Sequence, residues 1–87
     1  MENYPIIIQA GKKLHRFEIG EFLHDDGENC KIRVFKEGRF VASFQQDYHQ
    51  YLQICQNPGN LDEKLLYQLA EKIEAHHPQG INKDLEQ

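Results

Sequence analysis

The chain has 87 residues, 39% of them hydrophobic and 28% charged, with a formal net charge of −4. That is one globular domain with no room for a second core, and its mixed composition excludes a disordered or low-complexity chain. The longest apolar runs fall far short of the roughly 18 residues of a membrane span.

The charge is unevenly placed. Residues 1–44 carry seven basic and seven acidic side chains, whereas residues 45–87 carry three basic and seven acidic ones. A net acidic chain discourages nonspecific polyanion binding without forbidding a local basic patch. The start, Met1-Glu-Asn-Tyr-Pro-Ile-Ile-Ile, lacks a basic leader, so no signal peptide is expected and a cytoplasmic location is.

In chain order, strands are predicted near residues 4–9, 13–19, 30–36, 39–45 and 51–56. Gln9-Ala10-Gly11-Lys12 reads as a hairpin turn, and His24 to Asn29 as a polar loop rich in turn formers. Lys36-Glu37-Gly38-Arg39 is the sharpest hairpin signal, because apolar alternation flanks it on both sides. Asn57-Pro58-Gly59-Asn60 suits a type II turn with a positive φ at Gly59. A helix follows, with Asn60 placed to cap it and Glu63 placed to reach back. Leu61, Leu65, Leu66, Leu69, Ala70 and Ile73 form its apolar stripe. His76 and His77 lie in the last turn, Pro78 stops it, and residues 79–87 read as a flexible tail behind a domain at 1–78.

The expected fold is therefore α+β, an antiparallel meander of about five strands packed on one C-terminal helix. Strand periodicity points Ile6, Ile8, Phe17, Ile19, Ile32, Val34, Phe40, Ala42, Phe44, Leu52 and Ile54 toward the helix. The outer face then shows Ile7, Leu14, Arg16, Lys31, Arg33, Phe35, Arg39, Val41, Ser43, Tyr51, Gln53 and Cys55. A helix about 10 Å wide covers under half of a flat sheet close to 24 Å across. Either the sheet curls, or its residual apolar surface needs a partner, most simply a second copy.

Catalytic and metal chemistries find little support. His24–Cys30 and His49–Cys55 repeat one spacing, but it matches no standard zinc pattern. With both cysteines in the ladder and a strand between them, a disulfide would need to span about 9–10 Å, beyond its reach of about 7 Å. Cys30 and Cys55 are also expected on opposite faces. His76 and His77 point about 100° apart on a helix, so both cannot easily face one ion. Ser43 is the only serine and sits mid-strand, away from any turn that could build an oxyanion site. No catalytic residue stands out, and no cofactor or metal is expected.

Two surfaces remain. Asp47, Tyr48, His49 and Tyr51 form an aromatic and titratable loop that could hold a ligand or a partner. Arg16, Lys31, Arg33 and Arg39 cluster beside Phe35 on the outer face, a basic and aromatic pattern suited to single-stranded nucleic acid. The leading expectation is a noncatalytic protein-interaction module that forms homodimers. Nucleic-acid binding is the alternative. A small-ligand binder or enzyme using Tyr48 and His49 is the weaker one.

Overall fold

The computed structural model describes residues 3–22, 30–46 and 52–77. Strands β1 (Asn3–Ala10), β2 (Lys13–Glu21), β3 (Ile32–Lys36), β4 (Arg39–Gln46) and β5 (Leu52–Gln56) precede one helix, α1 (Glu63–Ala75). The strands form a single antiparallel sheet in chain order, so the fold is the α+β meander that the periodicity predicts. Among the described residues, no helix is long and apolar enough to cross a membrane. The predicted tail at 79–87 lies outside the described residues.

Each tight hairpin rests on its turn chemistry. Ala10 pairs with Lys13 across Gly11, whose φ of 63° a residue with a Cβ adopts less readily. Lys36 pairs with Arg39 across Glu37 and Gly38, both with positive φ, as a two-residue type I′ turn requires.

The sheet curls. Helix α1 touches both outermost strands, β1 and β5. In a flat sheet those strands would lie about 19 Å apart, nearly twice the helix diameter of about 10 Å. Within one turn of the helix end Glu74 meets Leu52 of β5 and His76 meets Tyr4 of β1, so the strands wrap around that end as a half-barrel. The enclosed core holds Ile6, Ile8, Phe17, Ile19, Ile32, Val34, Ala42 and Phe44 from the sheet, and Leu65, Leu66, Leu69 and Ile73 from the helix.

Two bulges correct the expected faces. Val34 pairs with Ala42 and Phe35 with Phe40, which leaves Val41 as an extra residue in β4. Phe40 consequently turns outward, with its ring 6.0 Å from that of Phe35, while Val41 packs against the core cluster. The predicted orientations of Phe40 and Val41 are thus exchanged. A second irregularity pairs Ser43 with Gln56 and Phe44 with Ile54, leaving Cys55 as the extra residue of β5.

The second bulge bears on the cysteines. Cys30 and Cys55 are joined by a disulfide with Cα atoms 6.0 Å apart, contrary to the expectation of 9–10 Å and opposite faces. Cys30 lies ahead of β3, not within it, and lines an outer-face cavity with Ser43 of β4 and Gln56 of β5. Neither cysteine occupies the regular ladder position from which the longer distance follows.

The turn before the helix also differs in detail. Its positive φ falls on Asn60, and the Asn60 N–H donates to the Asn57 carbonyl at 3.1 Å. The Asn57 side chain accepts from the Leu61 N–H at 2.9 Å and donates to the Leu61 carbonyl at 3.0 Å. Gly59 is required for closeness and not for φ, since a Cβ there would lie 2.6 Å from the Val41 Cβ. Substituting Gly59→Ala is expected to cost about 1–3 kcal/mol by overpacking, read as a lower urea midpoint at unchanged slope. Asp62, not Asn60, caps the helix, its carboxylate accepting from the Lys64 N–H at 3.4 Å.

Candidate functional site

Three places on this frame bring chemistry-bearing side chains together. The first is the inner-face end of the half-barrel where α1 terminates. Tyr4 shares the inward parity of Ile6 and Ile8, and Glu21 that of Phe17 and Ile19. The Tyr4 hydroxyl donates to Glu21 Oε2 at 2.5 Å, and His77 Nε2 lies 2.7 Å from the same oxygen. Both side chains of the Glu21–His77 pair are largely buried. The His76 ring stacks on Tyr4 at a centroid distance of 3.9 Å. Desolvation, the Glu21 hydrogen bond and the Glu21 charge together push the Tyr4 hydroxyl far above its ordinary value of 10.0.

These groups close on one another and tie the helix end to β1 and β2. Because the folded state holds the Tyr4 proton more tightly than the unfolded chain, stability is complete below pH 10 and falls as pH rises beyond it. Tyr4→Phe is expected to lose part of this alkaline sensitivity, measured as a smaller drop in melting temperature between pH 9 and about 11 than in the unsubstituted protein.

The second place is the outer face. Rows across the sheet set Gly20 beside Arg33 and Arg33 beside Ser43, with Gln56 opposite Ser43 on β5. Arg33 lies over the Phe22 ring, 4.3 Å from its centroid, a cation–π contact that fixes the guanidinium at this face. Exposed Arg16 pairs with Glu18 at 3.3 Å. Arg39 is exposed in the β3–β4 hairpin, Lys31 is half-buried ahead of β3, and Phe35 is half-buried beside Phe40. The predicted outer cluster is therefore broken up: Arg39 pairs with Lys36, which lies over the inner-face Phe17 ring, so the first bulge turns Arg39 to the inner side, while Arg16 is partnered by a carboxylate and Arg33 is seated on an aromatic ring.

The third place is a groove of about 240 Å³ between β5 and α1, lined by Phe44, Leu52, Ile54, Leu66, Tyr67 and Ala70 among others. Ile54 pairs with inward-facing Phe44, yet it is 48% exposed where the groove opens between β5 and the helix. Tyr67 stands beside it on α1, 68% exposed. Glu74 Oε2 accepts from the Leu52 N–H at 3.0 Å, so the helix caps the first edge amide of β5.

The loop residues Asp47, Tyr48, His49 and Tyr51 lie outside the described residues, as does His24. Among the described residues, no group of three or more His, Cys, Asp and Glu side chains could hold a metal ion. Sequence reasoning missed the Tyr4–Glu21–His77 cluster, although two polar side chains of inward parity at neighbouring strand ends signal a need for partners.

Fold and surfaces together define a small α+β domain, a curled five-stranded antiparallel sheet wrapped on one helix. No family model matches the chain, and no curated protein or solved structure matches it.

Proposed function

We propose that this protein is a noncatalytic interaction module that self-associates through the groove between β5 and α1. The observation that carries this reading is Ile54, an inner-face residue left half exposed beside the protruding Tyr67. A knob next to a groove on one surface is what a two-fold pair needs, since each copy offers both parts to the other. The strand at this edge, Leu52-Gln-Ile-Cys-Gln56, carries neither a charge nor a proline, so two copies meet there without like-charge repulsion along the strand. With Leu52 already capped by Glu74, side-chain burial drives the pairing and not extension of the ladder.

Light scattering across a concentration series tests the proposal. The unsubstituted chain is expected to rise toward twice its monomer mass, and Ile54→Lys to stay monomeric with its folded circular dichroism spectrum intact. A monomer at every concentration, or a dimer insensitive to Ile54→Lys, would contradict it.

Nucleic-acid binding is the second reading, favoured by the bulge that brings Phe40 out beside Phe35 and Arg33. The Arg16–Glu18 ion pair counts against it. Oligonucleotide titration at two salt concentrations decides the matter, because phosphate contacts weaken with salt.

The proposed location is the cytoplasm, and the Cys30–Cys55 disulfide counts against it, because thiols are kept reduced there. Mass spectrometry after thiol alkylation in freshly lysed cells reads that state directly, and a closed bond would point to an oxidising compartment.

A further inference from the structure

The outer-face cavity stands apart from the β5–α1 groove and has a feature that packing alone does not account for. It is an open-mouthed hollow of about 210 Å³ lined by Cys30, Arg33, Phe35, Phe40, Ser43 and Gln56. Ser43 is 1% exposed, and its Oγ has no hydrogen-bond partner among the described residues. A buried hydroxyl without a partner is destabilising, and native proteins rarely leave one so. An alanine would fit the same position without that penalty.

The surroundings indicate what would satisfy the hydroxyl. Phe35 and Phe40 supply two aromatic walls, their planes tilted by 56°. Arg33, held over the Phe22 ring, brings a positive charge to the rim, and the Gln56 amide adds a polar group. The volume equals that of about seven water molecules, enough for one aromatic ring bearing a short polar group. A ligand placed here needs an acceptor for the Ser43 hydroxyl, negative charge toward Arg33, and a flat apolar body to lie against the two phenylalanines.

We infer that this cavity is a binding site for a small aromatic carboxylate, with Ser43 donating to the carboxylate and Phe35 and Phe40 packing on the ring. The inference does not rest on the self-association reading, since it uses the opposite face of the sheet.

Titration of the intact protein with benzoate, followed by backbone amide resonances, tests it. A ligand of this size binds in the millimolar range, so the titration extends to about 20 mM. The expected result is saturable shifts confined to Arg33, Phe35, Phe40, Ser43 and Gln56. Benzyl alcohol should bind about tenfold more weakly, the loss of one charge-assisted hydrogen bond. Ser43→Ala should also weaken benzoate about tenfold while melting no lower than the unsubstituted protein. That combination separates a ligand-binding hydroxyl from a structural one. Gln56→Ala, at an exposed position, is a second variant whose folding is not at risk.

Three outcomes would overturn the inference. The first is an absence of localised shifts, as expected if water alone satisfies Ser43. The second is equal binding of benzyl alcohol and benzoate. The third is benzoate affinity unchanged by Ser43→Ala.

Discussion

Reducing the Cys30–Cys55 bond is expected to remove about 3.5 kcal/mol of stability, following the closure entropy of a loop of this length. The two residues are 25 apart in sequence, and the bond links the chain ahead of β3 to the bulge of β5. An unfolded chain without that link gains the freedom of the whole intervening segment, including β3 and β4. For an 87-residue domain whose total stability is of the order of 4–13 kcal/mol, this is a large fraction. Urea unfolding with and without reductant measures it directly. A midpoint that falls on reduction, matched by the Cys30→Ser and Cys55→Ser double variant without reductant, is the expected result. An unchanged midpoint for protein whose bond is shown to be closed before reduction would contradict the assignment.

Replacing Phe17 by alanine is expected to have the larger effect, about 3–5 kcal/mol. Phe17 has no exposure and sits among Ile19, Val34, Ala42, Leu69 and Ile73, all equally enclosed. It is also the inner-face ring near Lys36, whose ammonium lies 5.6 Å from its centroid and 3.0 Å from His15 Nδ1. Phe17 is among the largest fully buried side chains of the core, so its loss leaves a void that the packed neighbours fill only in part. The destabilisation approaches the whole stability of a small domain, so the variant should be unfolded or nearly so once the disulfide is also reduced. Circular dichroism melting in both redox states reads this outcome. A cooperative melt within a few degrees of the unsubstituted protein would show that the core lies elsewhere.

The order of elements was legible because each strand carries alternating apolar residues between turn formers, and the helix carries an uninterrupted stripe from Leu61 to Ile73. The Glu37-Gly38 turn was equally plain. The bulges were not. Phe40-Val41-Ala42 is apolar at three successive positions, so alternation cannot say which residue is the extra one. That ambiguity exchanged Phe40 with Val41. At Cys55 the same kind of irregularity takes the residue out of the regular ladder, so ladder spacing does not set its distance from Cys30.

The candidate site was legible in part. Arg33 and Phe35 lie on the outer face as expected, but Ser43 was read as an ordinary outward strand residue, and nothing local shows that it is covered. The Tyr4–Glu21–His77 cluster joins residues up to 73 positions apart, and only the curl of the sheet brings the helix end onto β1 and β2. Curl is a property of the whole sheet. No single segment of sequence encodes it.

The most direct test of the central claim, association through the β5–α1 groove, is an isotope-filtered NOE experiment on a mixture of labelled and unlabelled chains. Intermolecular contacts between the Ile54 methyl groups of one copy and the Tyr67 ring of the other are the expected result. Intermolecular contacts confined to the outer face at Phe35 and Phe40, or none at a concentration where the mass is that of a dimer, would contradict it.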